Sequence, residues 1–352
     1  MAVASVMVVA GCADPGQACA PPTPSGGTRA GTATTPVSAA TAPSSTPARS
    51  ATATRPAPGA SDPGTLTLAF GGDVHFEDYL RPLARDPHGL DQLRSTLGAA
   101  DLSMVNLETA ITQRGTKIGK EFHFRAPATA LETLASAGVD ALAMANNHGV
   151  DYGPVGLGDT LAAKQASPIP IVGIGADQDE AFASATLTAK GVKVAVLSAS
   201  QVYEMTLLNW SADADSPVIA SSAPTTRLIA AVKKARRTHD VVVVYLHYGL
   251  DYQRCPDSQS FSTATALEAA GADIVVGGHS HRVNGAGWLG NAYVDYGLGN
   301  FVWWRSQEPD SRTGVLTLSV DVKRATAAKR TPWPDRQKGR LDAHAHRRGR
   351  HT

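Results

Sequence analysis

At 352 residues the chain can hold one large α/β unit of about 250 residues together with appendages. Its formal net charge of +1 excludes a strong whole-protein attraction to nucleic acid. Its three cysteines, none in a CxxC or Cys/His pattern, exclude a disulfide framework and a structural zinc site.

Met1–Ala10 is a short apolar run that ends in Val9-Ala10-Gly11-Cys12. A hydrophobic run that stops at small residues marks an export segment too short to stay in a membrane as a helix. The four-residue ending resembles a bacterial lipobox, which would make Cys12 the lipidated first residue of a mature, extracytoplasmic lipoprotein, tethered to the membrane without spanning it. Residues 13–63 are dominated by Ala, Pro, Thr, Ser and Gly. Such a stretch buries too little apolar surface to offset its ordering entropy, so a disordered tether is expected.

A folded domain is expected over residues 64–322. In chain order the pattern predicts a strand at Leu66–Phe70, a helix over Leu90–Ala99, a short strand at Leu102–Val105, and a helix over Ala128–Ala137 closed by Gly138. Ala141–Ala145 is strand-like, Val155–Gln165 helical, and Ile169–Ile174 and Val192–Ser198 are strands. Thr225–Thr238 is a helix with basic residues in its last turns, which complements the helix dipole. Val241–Leu246 is a continuous β-branched run, as expected of a strand buried on both faces. Phe261–Ala270 is helical and Ile274–Val276 a strand, while Tyr293–Tyr296 and Val315–Val322 suit antiparallel strands. Residues 323–352 are basic, polar and interrupted by proline, the composition of a solvated, disordered tail. Its histidines are not counted as ligands, and Cys255 is expected to be an unpaired loop thiol.

Polar residues of one chemical kind follow the apolar runs. They are Asp73-Val74-His75, Asn106-Leu107-Glu108, Asn146-Asn147-His148, His247, His279-Ser280-His281 and Asn300. In open α/β sheets, sites form in the crevice beyond the carboxyl ends of the strands, so these groups are expected to meet. Residues two apart on an extended segment point the same way, which lets Asp73 and His75, or His279 and His281, converge on one cation. Two carboxylates, an amide and four imidazoles, with His148 to spare, amount to the inventory for two divalent ions sharing a bridging carboxylate. Two such ions form a clamp for displacement at phosphorus, with His148 placed as a proton donor. Nitrogen and oxygen donors without thiolate favour Mn, Fe or Zn.

The ordered set, carried by "GGDVHFE", "VNLETAIT", "FRAPATALETLASAGVDALAMANNHGVDYG", "VVVVYLHYGLDYQ", "GADIVVGGHSHRV" and "VDYGLGNFV", resembles the CapA (capsule and poly-γ-glutamate synthesis) branch of the calcineurin-like metallophosphoesterases. The resemblance implies a four-layer αββα sandwich with the site on loops at one end of the sheets. It implies that Asp73, His75 and His281 hold one metal, Asn147, His247 and His279 a second, that Glu108 bridges, and that His148 is the acid. Asn106, Asn146 and Asn300 would line the site. Two departures stand out. Asn106-Leu107-Glu108 replaces the usual Gly-Asp bridge, as in CapA proteins, and His75 restores an imidazole that CapA relatives often lack.

The resulting expectation is an exported, membrane-tethered metal-dependent hydrolase with phosphoester chemistry, engaged in making, anchoring or trimming a surface polymer. Its partners would be an anionic polymer or a phosphoester, the bacterial membrane, and a polymer synthesis or export complex. Two alternatives use the same residues. One is a non-catalytic scaffold that holds anionic polyglutamate, and the other an amide hydrolase acting on γ-glutamyl bonds.

Overall fold

The computed structural model describes residues 64–210 and 216–323 together with the backbone of 344–349. Six apolar runs become the parallel strands of two sheets: Thr65–Val74 (β1), Leu102–Leu107 (β2), Ala141–Ala143 (β3), Val192–Ser200 (β4), Val241–Tyr248 (β5) and Ile274–His279 (β6). β1, β2 and β3 pair in parallel in the first sheet, and β4, β5 and β6 do so in the second. Antiparallel or short strands complete each edge, including Gly314–Asp321 against β1 and Ala185–Ala189 against β4.

The alternation of side chains along the strands builds the layers. Leu66, Leu68 and Phe70 of β1 share one buried cluster with Val194 and Val196 of β4 and Val243 and Tyr245 of β5, between the sheets. The opposite faces, with Ala69, Val105 and Leu142 on one sheet and Val242, Val244 and Val275 on the other, belong to a second cluster that takes in the helices. Those helices are Thr129–Ser136 (α1), Gly153–Ala166 (α2), Thr226–Arg236 (α3) and Ser258–Ala270 (α4). Burying leucines such as Leu131, Leu157, Leu228 and Leu267 stabilises this packing by about 1.5–3 kcal/mol each. The architecture is the expected four-layer αββα sandwich. Gly138 closes the α1 end at φ +87 and Gly271 ends α4 at φ +108, conformations that favour glycine.

Several expectations change. Leu90–Ala99 is not an α-helix: it contains a 3-10 turn at Asp91–Leu93 followed by irregular turns. The segment is closed in by Pro87 and Gly98 and is too short to repay helix nucleation, while Leu90, Leu93 and Leu97 are buried without one. The Ile169–Ile174 strand splits at Gly173. Ile171–Val172 stays in the first sheet and Ile174–Gly175 pairs with Val218–Ile219, with the left-handed backbone of Gly173, φ +92, between them. The strand Ala292–Asp295 runs parallel to β6 and antiparallel only to Ala286–Leu289. Within the expected tail, the backbone of His344–Gly349 pairs antiparallel with Gly314–Asp321 and so covers what would otherwise be an open sheet edge. The remainder of 324–352, the tether over 13–63 and Cys12 lie outside the described residues. Cys255 is disulfide-bonded rather than a loop thiol; sequence spacing alone carries no information on pairing. Cys12 and Cys19 both fall outside the described residues.

Candidate metal centre

The carboxyl ends of all six parallel strands face one rim, and the polar clusters sit there. β1 carries Asp73 and is followed by His75, β2 carries Asn106 and is followed by Glu108, and β3 leads into Asn146, Asn147 and His148. From the second sheet, β5 delivers His247, β6 delivers His279, and His281 lies just beyond. His279 and His281 have φ of +85 and +52. Left-handed backbone at two non-glycine residues costs free energy and is characteristic of functional sites.

Asp73 joins the sheets. Fully buried, it accepts hydrogen bonds from Asn106 Nδ2 at 2.8 Å and from the backbone N–H of His279 at 3.0 Å. Gly278 makes this approach possible, since a Cβ there would collide with Asp73 Oδ1. The Asn106 amide also lies 3.1 Å from His247 Nδ1. Asn146 braces it by donating to Asn106 Oδ1 at 3.1 Å and to the Leu107 carbonyl at 2.8 Å.

Glu108 is 0 % exposed, and neither of its carboxylate oxygens has a hydrogen-bond partner. An isolated buried carboxylate is costly unless a cation or donors meet it. Around it the ligand atoms of Glu108, His247 and His279 lie within 4.8 Å of one another, and so do those of Asp73, Glu108 and His281. The two groups share Glu108, as a bridging carboxylate requires. Asn147 adds an amide oxygen 2.9 Å from His247 Nε2, while its Nδ2 is held by Glu204 at 3.1 Å. Asn300 fixes His281 by a 2.8 Å contact between its Oδ1 and the ring Nδ1, the nitrogen that also lies 3.6 Å from Asp73 Oδ2.

Burial shifts the ionisation of the whole set. It pushes the Asp73 carboxyl up to about 7, partly offset by the Asn106 and His279 hydrogen bonds. Burial and then the neighbouring Asp73 carboxylate push Glu108 well above the usual range. It holds His279 and His281 down to about 4. Neutral imidazoles beside carboxylates that need a counter-charge are the donor set that a divalent cation satisfies. The residues therefore fit two metals, with Asp73, Glu108 and His281 around one and Glu108, Asn147, His247 and His279 around the other.

His75 stands apart from the other histidines. It is in neither of these groups. Its Nδ1 accepts the Glu77 amide N–H at 3.0 Å, and its Nε2 faces the Trp304 amide at 3.5 Å. Its ring stacks on Phe124 at 4.4 Å and meets Trp303 edge-on at 4.1 Å. The aromatic cage and the Glu77 amide hold the imidazole as a packed ring, outside both groups of ligand atoms.

His148 sits as the spare imidazole. Its Nδ1 lies 2.6 Å from Asp151 Oδ2, and its Nε2 lies 3.8 Å from Glu108 Oε1. Phe124 stacks on its other face at 4.0 Å. Asp151 is held by the Phe124 amide at 2.6 Å and by Lys120 Nζ at 3.0 Å. Lys120 also donates to the Asn147 carbonyl at 2.7 Å. The sequence reading missed Asp151, Lys120, Glu204 and Asp251. Asp151, three residues after His148, was the most accessible of these, because that spacing suits a local carboxylate–imidazole pair.

A cavity of about 400 Å³ opens over these groups. Lys120, His148 and Asn147 form its floor with His279 and His281, and Phe122, Trp303 and Trp304 form an aromatic wall. Among the described residues, no helix is long and apolar enough to cross a membrane.

A family model described as Bacterial capsule synthesis protein PGA_cap matches residues 67–304. The PGA biosynthesis protein CapA of Bacillus subtilis (strain 168) is 28% identical over 283 residues, covering 75% of this chain and 73% of that protein. A probable polyglutamine synthesis accessory protein of Mycobacterium tuberculosis is 31% identical over 215 residues, 58% of this chain and 56% of that protein. This chain thus spans most of the first relative but little more than half of the second. Among solved structures, the NAD nucleotidase of Haemophilus influenzae superposes with a TM-score of 0.45 at 14% identity, covering 74% of this chain and 54% of that one.

Proposed function

The chain belongs to the bacterial capsule synthesis protein family PGA_cap, and on that premise we propose that it is an exported, metal-dependent hydrolase of phosphoester bonds serving capsule or poly-γ-glutamate synthesis, anchoring or trimming. The observation that carries the reading is Glu108, a buried carboxylate with both oxygens unpaired, shared by two groups of ligand atoms.

Bound there, two divalent ions, Mn, Fe or Zn, supply an activated water and positive charge for phosphoryl oxygens. The protein's own groups do the rest. Asp73, Asn147 and the three histidines fix the ligand geometry, and Asn106 and Asn300 orient His247 and His281 through the contacts described above. Burial first, and Lys120 next, keep His148 neutral in the free protein. An anionic phosphoester in the cavity favours the protonated ring, and Asp151 stabilises the resulting imidazolium, so His148 carries a proton at Nε2 to the leaving oxygen. The aromatic wall excludes water from the opposite side and suits a substrate with a flat or apolar face.

Membrane tethering through Cys12 is part of the proposal and rests on the lipobox-like Val9-Ala10-Gly11-Cys12. The natural partners would be an anionic surface polymer and the complex that makes or exports it. The test is turnover of bis(p-nitrophenyl) phosphate by the protein loaded with Mn²⁺, alongside a γ-glutamyl amide. Phosphodiester cleavage that is lost with chelator supports the proposal. Cleavage of the amide alone reassigns the bond. Two bound Mn²⁺ with no turnover of either leaves a metal-containing binding component of the polymer machinery.

A further inference from the structure

Asp251 follows β5 by three residues, in a loop that turns back at Gly249, φ +92. The loop is pinned over the end of β6 by a 2.8 Å hydrogen bond from the Tyr252 N–H to the Ser280 carbonyl. This brings Asp251 Oδ1 to 3.3 Å from His279 Nε2, with the Asp251 side chain 53% exposed at the cavity mouth. The other ring nitrogen of His279, Nδ1, is buried and has no hydrogen-bond partner.

A neutral imidazole carries one proton and must place it on one nitrogen. With the proton on Nε2, Asp251 receives it and the Nδ1 lone pair is left for a cation. The opposite tautomer would set a lone pair against a carboxylate and bury an N–H with no acceptor, both of which are unfavourable. His281 is likewise oriented by a neighbouring side chain, through the contact of its Nδ1 with Asn300 Oδ1. We propose, building on the metal reading above, that Asp251 is a positioning residue: it fixes the His279 tautomer so that Nδ1 is presented to the ion held with Glu108 and His247. A carboxylate that fixes a metal-binding histidine in this way contributes about 10–100-fold in metal affinity. The ligand atoms of Asp251, His279 and His281 also lie within 4.8 Å of one another, so direct ligation by Asp251 is the competing role.

The experiment is equilibrium dialysis of the full chain with Mn²⁺ for the wild type, Asp251→Ala, Asp251→Asn and His279→Ala, with ¹⁵N NMR of the imidazoles in the metal-free protein. Expected are two sites in Asp251→Ala at saturation, one of them weakened about 10–100-fold. Asp251→Asn should fall between, because its amide oxygen still accepts the Nε2 proton, and His279→Ala should lose one site. The metal-free wild type should show His279 protonated at Nε2. Unchanged affinity in Asp251→Ala, a saturating stoichiometry of one in that variant, or a proton on Nδ1 in the wild type would each overturn the proposal. Wild-type protein that takes up no Mn²⁺ removes the metal reading and this one together, whereas metal uptake without turnover removes only the hydrolase reading.

Discussion

Asp73, on a strand of the first sheet, accepts a 3.0 Å hydrogen bond from the backbone N–H of His279, on a strand of the second. The approach depends on the missing side chain at Gly278. Gly278→Ala should therefore displace Asp73, costing about 1–3 kcal/mol of stability as an overpacked contact and one bound metal. Thermal unfolding and metal analysis check this, and a variant with the wild-type melting temperature and two metals would contradict it.

His148 and Asp151 are expected to serve turnover without holding metal. His148→Ala should keep both ions and lose rate by about 10²–10⁴-fold. Asp151→Asn should also slow turnover, because the 2.6 Å contact that sets the His148 ring is weakened. Steady-state kinetics with parallel metal analysis separates these effects, and loss of metal from His148→Ala would move that residue among the ligands.

Glu108 gives the metal-free protein a signed pH dependence. Burial, then Asp73, raise its folded pKa well above the ordinary value, so the folded state keeps a proton that the unfolded chain has lost above about pH 4.3. Stability then falls as pH rises from that point through the folded pKa. Glu108→Gln removes the cost. In chelator it should melt with the wild type near pH 4 and above it at pH 8, by about 2–4 °C per kcal/mol recovered. With Mn²⁺ at pH 8 the order should invert, and a variant that is less stable in chelator at pH 8 would refute the orphaned-carboxylate argument.

Two histidines of the same motif type should behave oppositely. His281→Ala should drop the stoichiometry from two metals to one. His75→Phe should keep two, at a stability cost of about 1–3 kcal/mol for the Glu77 amide left without its acceptor. Metal analysis of both variants decides it, and loss of metal from His75→Phe would restore that residue to the ligand set.

Cys12→Ser should release the protein from membranes into the soluble fraction. Fractionation of expressing cells tests this, and continued membrane association would call for a different anchor.

Much of the site was legible because parallel strands leave a signature. A buried run such as Val241–Leu246 has to end where the chain leaves the core, and a histidine at that exit stands at the rim with the other strand ends. The same logic located Asp73, Glu108, Asn147, His279 and His281. Pairing with distant chain was not legible. The cage around His75 depends on Trp303 and Trp304, more than two hundred residues away, and Asp251 reaches His279 only because its loop folds back at Gly249. The misread helix over Leu90–Ala99 has leucines at helical spacing, but that spacing is satisfied equally by short turns packed on a sheet. Gly173 looked like part of a strand, and its left-handed φ of +92, which glycine permits and the sequence does not announce, makes it a break.

Phe124 lies with one face on the His75 ring and the other on His148, so three flat groups form a pile that supports the His148 ring from beneath. In that pile position 75 supplies planarity and thickness, and its Nδ1 lone pair meets the Glu77 amide. Another aromatic residue there would keep the shelf and lose that hydrogen bond. Relatives would be sorted by the carboxylate at 108, whose replacement leaves nothing to span the two halves of the centre.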